Sequence, residues 1–157
     1  MQRIVPNLWF DTEAEEAATF YTSLFKDSKI TDVSHYGEGG PRPAGMVLTV
    51  GFELDGQGFT ALNGGPDFKF TEAVSLLVNC ESQEEVDELW SKLLDGGEES
   101  QCGWLKDRYG LSWQIIPTRL GELLQDEDAG KAKRVMDAML KMRKIDIAVL
   151  EAAYNEQ

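Results

Sequence analysis

The sequence predicts an α+β protein built from two consecutive βαβββ modules and a helical C-terminal extension. Two turn-forming stretches, 55–58 and 107–110, each precede an apolar run, which is typical of a β-hairpin. Two capping-box patterns, Thr12-x-x-Glu15 and Ser82-x-x-Glu85, each precede apolar residues at helical spacing. The predicted organisation is one domain, 1–157, with a first module at 3–66, a second at 72–117 and an extension at 118–157.

The first module begins with a predicted buried strand at 4–10, and Thr12 is expected to cap the helix that follows. The glycines and prolines of 37–45 favour an irregular loop rather than a regular element. The expected apolar stripe of the helix is Ala17, Ala18, Tyr21, Leu24 and Phe25. Further strands are expected at 30–36, 46–54 and 59–63.

The second module repeats this order, and the two copies align without a gap from the first strand through the helix. In the hairpins, Asp55 matches Asp107 and Gly58 matches Gly110. We expect Lys106 and Asp107, which flank the second turn, to be exposed. The expected apolar face of the helix is Val86, Leu89, Trp90, Leu93 and Leu94. Strands are expected at 74–79, 98–102, 104–106 and 111–116.

After Pro117 the composition changes to helix formers, and Asp146 is placed to cap a last helix at 147–154. A short helix is expected around Leu120, Leu123 and Leu124. The next helix presents an apolar stripe of Ala132, Val135, Met136, Met139 and Met142. A tail this apolar is expected to dock on its own domain or on a second subunit, and we predict a homodimer.

Charge and cysteine content exclude several classes of partner. A net charge of −13 and a pI near 4.4 argue against nucleic acid and against anionic membrane surfaces, because no basic surface is available. No signal peptide or membrane-spanning segment is expected from the apolar runs. Two cysteines, Cys80 and Cys102, are too few for a disulfide framework and favour a reduced, cytoplasmic setting.

The chain resembles the vicinal oxygen chelate superfamily, which includes glyoxalase I, extradiol dioxygenases and bleomycin- and fosfomycin-resistance proteins. It is most similar to the PhnB-like branch, which carries the label demethylubiquinone methyltransferase-like. The resemblance implies sheets curved into a cup around a pocket, and homodimers, some with exchanged strands. The stretches that carry it are 8–25, 52–75, 101–118 and 134–153.

Metal enzymes of that superfamily place His or Glu ligands on the first and last strands of each module. Carried over by position, the last-strand sites fall on Leu62 and Gln114, and near the first strands only Glu72 qualifies. The one histidine, His35, lies on a second strand instead. Because divalent metals need several imidazole, carboxylate or thiolate ligands, we predict no metal and no cofactor.

Candidate ligand-binding residues follow from strand alternation and side-chain chemistry. Alternation over 111–116 places Ser112 and Gln114 on a pocket face and Trp113 on the opposite face, against the helices. For each candidate a structural role stays open: a buried glutamine satisfied by neighbours, a core tryptophan, or an asparagine bonded to loop backbone. The candidates are Gln114, Ser112, Trp104, Asn63, Trp9 and Phe68.

Two functions of different kinds remain open at this point. The first is a metal-free module that binds a small molecule, which we favour because no acid–base pair or ligand triad stands out. The second is an enzyme, either a lyase or isomerase or a glyoxalase- or dioxygenase-like protein with a weakly held or absent metal. Methyl transfer on a Rossmann-type site is not supported, because the glycine-rich stretch 37–45 precedes a strand rather than a helix.

Overall fold

The computed structural model describes residues 2–156, and the chain divides into two compact units, Met1–Lys69 and Phe70–Gln157. Met1 and Gln157, the outermost residues of the predicted domain, lie outside the described residues. Each unit contains a helix and a four-stranded mixed sheet in the order βαβββ. The predicted α+β class and tandem modules are therefore confirmed.

The first unit pairs its strands in the order β1-β4-β3-β2, with β1 parallel to β4 and the other pairs antiparallel. Its helix buries Ala17, Ala18 and Tyr21 completely, and the Tyr21 ring lies 6.4 Å from that of Phe52 on β3. This packing forms the core of the unit. The elements are β1 (Asn7–Phe10), α1 (Ala14–Thr22), β2 (Lys29–His35), β3 (Val47–Leu54) and β4 (Gln57–Asn63).

Three local predictions for the first unit are wrong. The first strand begins at Asn7, and Ile4 before it is 87% exposed. Pro6 has no N–H to donate to the sheet, and its carbonyl accepts from the Thr60 N–H. The Thr12 capping box does not form, since the N-cap is Glu13, whose side chain bonds no N–H group of the helix. Asn63 takes this role from the end of β4, where its Oδ1 accepts the Ala14 backbone N–H at 2.8 Å. In addition, Leu24 and Phe25 lie beyond the end of α1 and are half-buried.

The second unit repeats the arrangement in the order β5-β8-β7-β6, with β5 parallel to β8. Ser82 caps its helix as predicted, with its hydroxyl accepting from the Glu85 N–H at 3.2 Å. Trp113 and Ile115 of the last strand are 1% and 0% exposed in the core. The elements are β5 (Ser75–Cys80), α2 (Gln83–Leu94), β6 (Glu98–Glu99), β7 (Trp104–Lys106) and β8 (Ser112–Pro117).

Asp107 was predicted to be exposed, but it is buried, with only 3% of its surface exposed. Its backbone N–H donates to Leu111 at 2.9 Å, so the strand pairing continues through Asp107 and the loop is 108–110. In the first hairpin the loop is Asp55 and Gly56, both with positive φ. Asp107 therefore corresponds to Leu54, the last core-facing residue of β3, and not to Asp55.

The modules also do not align without a gap. The connection from strand to helix is 11–13 in the first unit and 81–82 in the second, which is one residue shorter. The predicted strand at 98–102 is limited to Glu98–Glu99, because Cys102 and Gly103 adopt φ values of 58° and 85°. Their N–H groups donate to the carbonyls of Met142 and Arg143 rather than to the sheet.

The C-terminal extension forms α3 (Thr118–Leu124), α4 (Ala129–Met139) and α5 (Ile147–Asn155) within the second unit. It is tied to α2 by Gln83, whose side chain donates to the Ile145 carbonyl at 3.0 Å and accepts from the Ile147 N–H at 2.8 Å. The extension thus docks on its own unit, although Met136 of the predicted stripe stays 38% exposed. Its buried core is Leu120, Leu123, Val135, Ile145 and Leu150.

Among the described residues, no helix combines the length and the apolarity that crossing a membrane requires.

Candidate functional site

The second sheet has one face covered by α2 and an opposite face, which we call the open face. Strand register assigns the side chains to it: Lys106 pairs with Ser112, and Trp104 pairs with Gln114. Leu105 pairs with Trp113 on the covered face, and both side chains are 1% exposed. The predicted separation of Ser112 and Gln114 from Trp113 is therefore confirmed. The open face comprises Ser75, Leu77, Glu98, Trp104, Lys106, Ser112 and Gln114.

A cavity of about 260 Å³ lies on one end of the open face, entirely within the second unit. It combines two hydroxyls, an indole ring, a cation and several carboxylates, so its lining is mostly polar and charged, with Trp104 and Leu105 as its apolar part. Its walls include Glu72, Glu98, Ser100, Trp104, Lys106 and Ser112.

Lys106 forms an ion pair with Glu72 at the cavity wall. The hydrogen bond between them raises the pKa of Lys106 and lowers the pKa of Glu72 from their ordinary values. Glu98, the partner of Lys106 across the strands, adds to the rise by its charge. Both members of the pair are consequently charged at neutral pH, so Lys106 is not available there as a base or a nucleophile.

The hydroxyl of Ser112 is the feature of the cavity that the fold itself does not explain. Ser112 is 1% exposed, and its Oγ has no hydrogen-bond partner among residues 2–156. A buried hydroxyl without a partner costs roughly 1–3 kcal/mol relative to one that is bonded. Among the described residues it is the one buried side-chain N or O atom in this condition.

The other two candidates of the second unit differ in their surroundings. Trp104 is half-buried and lines the cavity, which is not the position of a core tryptophan. Gln114 is half-buried beside it and donates from Nε2 to the Ser75 hydroxyl at 2.9 Å. This bond uses one of the two N–H groups of the amide, so the amide oxygen and the second N–H of Gln114 remain for a ligand.

The remaining candidates lie in the first unit, where they form a separate group. Asn63 is 2% exposed, and its amide is committed to the Ala14 N–H and, through Nδ2, to the Val47 carbonyl at 3.0 Å. This is the structural role that the sequence left open. Trp9 donates from Nε1 to the Gly65 carbonyl at 2.9 Å and meets Phe68 edge-on, with ring centroids 4.9 Å apart. Phe68 itself is 65% exposed.

The residues at the superfamily's metal positions do not fit a divalent metal. Leu62 has no atom that can bind a metal, and Gln114 offers only one neutral amide oxygen, which by itself does not make a divalent-metal site. Corrected for the hairpin, Gln114 corresponds to Thr60 rather than to Leu62, because Leu111 is the equivalent of Gln57. Within residues 2–156 no group of three or more His, Cys, Asp or Glu side chains is placed to hold a metal ion.

Cys80 does not have the surroundings of a reactive thiol. Cys80 is fully buried, and burial together with the nearby Glu85 carboxylate raises the pKa of its thiol to about 12. It therefore remains protonated at neutral pH, as expected for a residue that packs the end of a strand.

Sequence reasoning identified Trp104 and Ser112 but missed Glu98 and treated Lys106 as ordinary surface charge. The signal that was available is strand alternation, which places Lys106 on the same face as Trp104. What was missing is the register of β7 against β8, which depends on the length of the loop 108–110. Without that register the open face could not be assembled from three strands.

The chain matches the family described as 3-demethylubiquinone-9 3-methyltransferase over residues 2–116. A PhnB protein from Bacillus cereus is 41% identical, with a TM-score of 0.69, over 74% of this chain and 99% of that chain. The protein PA1353 from Pseudomonas aeruginosa is 20% identical, with a TM-score of 0.61, over 74% and 98% of the two chains.

A more distant similarity is to the fosfomycin resistance protein FosX from Listeria monocytogenes, at 13% identity and a TM-score of 0.50 over 74% of this chain and 93% of that chain. At this identity the similarity concerns the fold alone. No curated protein matches the chain.

Proposed function

Since the chain belongs to the 3-demethylubiquinone-9 3-methyltransferase family, in the PhnB-like branch of the vicinal oxygen chelate superfamily, we propose that it binds a small polar molecule. The proposed site is the cavity on the open face of the second sheet. Trp104 provides apolar surface, Ser112 a hydroxyl, and the adjacent Gln114 an amide oxygen. The observation that carries the proposal is the buried Ser112 hydroxyl, which a ligand would supply with a hydrogen bond.

Binding is proposed rather than turnover because the polar groups of the cavity are not activated. Lys106 is held protonated by Glu72, and the Ser112 hydroxyl has no basic partner among the described residues. A serine nucleophile needs an adjacent base within hydrogen-bond reach. The family is named after a methyltransferase. A Rossmann-type site, however, requires a glycine-rich loop between a strand and a helix, and the glycine-rich loop of this chain joins β2 to β3.

The first-unit candidates enter the proposal differently. Trp9 and Phe68 form an aromatic pair with an exposed edge, and contact of this pair with a ligand stays a prediction. Asn63 is left out of the proposed site because both ends of its amide already bond the backbone.

The proposal predicts opposite roles for two serines of the second unit. Ser112→Ala is expected to leave the free energy of unfolding unchanged or to raise it by about 1 kcal/mol, since the lost hydroxyl makes no protein hydrogen bond. Ser82→Ala, the matched control, is expected to lower it by about 1 kcal/mol, because Ser82 caps α2. Urea denaturation followed by circular dichroism measures both values.

Ligand-observed NMR with a library of small polar aromatic fragments provides the binding half of the same test. Fragments that bind the wild type are expected to lose about five- to tenfold in affinity with Ser112→Ala and to keep their affinity with Ser82→Ala. The proposal fails if Ser112→Ala is destabilising by more than Ser82→Ala. It also fails if no fragment binds or if binding is the same in both variants.

We also infer that the protein is a homodimer, as the resemblance implies. The support in the structure is the apolar surface left on the extension, where Met136 and Leu140 are 38% and 56% exposed one helical turn apart. Sedimentation equilibrium at micromolar concentration is expected to give twice the monomer mass. Leu140→Lys is expected to lower the measured mass towards that of the monomer. A wild-type protein that sediments as a compact monomer contradicts this inference.

A further inference from the structure

The charges around the cavity are not balanced. Of its wall residues, Lys106 is paired with Glu72, and the neighbouring Glu99 carboxylate lies 3.8 Å from Arg143. Glu98 forms no ion pair of its own within residues 2–156, and the cation nearest to it across the strands, Lys106, is already paired. The cavity therefore has a surplus of negative charge, inside a chain whose net charge is −13.

Two further wall residues point to the same kind of ligand. Ser112 lines the cavity and is 1% exposed, and its hydroxyl has no hydrogen-bond partner among residues 2–156. The hydroxyl oxygen can accept a hydrogen bond from a ligand N–H. Trp104 borders the same cavity, and an indole ring attracts a cation more strongly than any other aromatic side chain. A hydroxyl, an indole and an unbalanced carboxylate thus surround one space.

Resting on the proposed function, we infer that the ligand is a small organic cation, a primary ammonium whose N–H groups bond Ser112 while its charge is met by Glu98 and Trp104. An anionic ligand is disfavoured because it would have to displace Glu72 from Lys106 in the presence of Glu98. A cavity of about 260 Å³ accommodates an amine with one ring or a short chain.

Three probes that share a phenyl ring and carry a cationic, a neutral or an anionic substituent test this inference: benzylammonium, benzyl alcohol and benzoate. Each is titrated into ¹⁵N-labelled full-length protein at neutral pH and constant ionic strength, with backbone amide shifts as the readout. Benzylammonium is expected to bind most tightly and benzoate least, with shifts in residues 98–106 and 112. Raising the salt concentration is expected to weaken the binding of benzylammonium but not the binding of benzyl alcohol.

Variants assign the preference to individual residues. Glu98→Gln is expected to lower the affinity for benzylammonium about threefold and to leave the affinity for benzyl alcohol unchanged. The expected loss is small because Glu98 is exposed, so solvent screens its attraction for the ammonium group. Trp104→Leu is expected to lower the affinity for benzylammonium about fivefold. Glu84→Gln, an exposed carboxylate on α2 away from the cavity, serves as the matched control and is expected to change nothing.

The outcomes separate the inference from the proposed function. If benzoate or benzyl alcohol binds most tightly at the same amides, the ligand is not a cation, and the site itself stands. If benzylammonium binds equally well to Glu98→Gln and to wild-type protein in low salt, the charge assignment is wrong. If none of the three probes shifts these amides, both the inference and the proposed site are overturned.

Discussion

Trp113→Ala is expected to lower the free energy of unfolding by roughly 3–5 kcal/mol, the range for buried aromatic side chains replaced by alanine. Trp113 is 1% exposed on the covered face of the second sheet, and its Nε1 donates to Asp107 Oδ2 at 2.9 Å. The substitution removes both the packing of the ring and this hydrogen bond. Urea denaturation monitored by circular dichroism measures the loss.

Gln114→Leu is the matched variant, one residue further along the same strand but on the open face. It gives up the hydrogen bond to Ser75, so the expected loss is at most about 1 kcal/mol, while fragment binding is expected to weaken. If Gln114→Leu proves more destabilising than Trp113→Ala, the assignment of the two faces is wrong and the ligand site lies elsewhere.

Asp107→Asn is expected to lower the free energy of unfolding by about 2–3 kcal/mol, although the side chain keeps its size. The buried carboxylate accepts from the backbone N–H groups of Tyr109 and Leu111, at 2.8 Å and 3.1 Å, and from the Trp113 indole. An asparagine has one acceptor oxygen and one NH₂ group, so a donor must then face a donor on one side.

Asp95→Asn is the control for the loss of charge in the same hairpin region. Asp95 has 80% of its side chain exposed and pairs with Arg108 at 3.4 Å, so a change of less than about 0.5 kcal/mol is expected. Equal effects of the two substitutions would show that Asp107 acts as a surface charge, contrary to its buried hydrogen bonds. Thermal and urea unfolding of both variants distinguish the two cases.

The architecture could be predicted from the sequence because each of its signals is local. The Ser82 cap, the apolar stripe of α2 and the alternation over 111–116 each depend on residues within a few positions of one another. The same signals correctly separated Ser112 from Trp113, and that separation is the basis of the proposed site. Local patterns also placed the loop 37–45 between two strands.

The details that failed depend on contacts between residues distant in sequence. The first N–H of α1, that of Ala14, donates to Asn63 rather than to Thr12, and Asn63 lies 49 positions further along the chain. The burial of Asp107 follows from a loop one residue longer than that of the first hairpin, which changes the face of every residue before it. Glu72 and Glu98 reach the cavity from outside the hairpin. The resemblance singled out Glu72 only as a metal position, and no local pattern of the sequence places Glu98 beside Lys106.

The central claim is that the cavity beside Ser112 is a small-molecule site, and crystallographic fragment screening of the wild-type protein tests it most directly. Crystals are soaked with a few hundred small polar compounds at high concentration, and the position of every bound fragment is recorded. Fragments are expected to collect against Ser112, Trp104 and Glu98, with a hydrogen bond to Ser112 Oγ. A screen that leaves this cavity empty, with its fragments bound elsewhere or not at all, contradicts it.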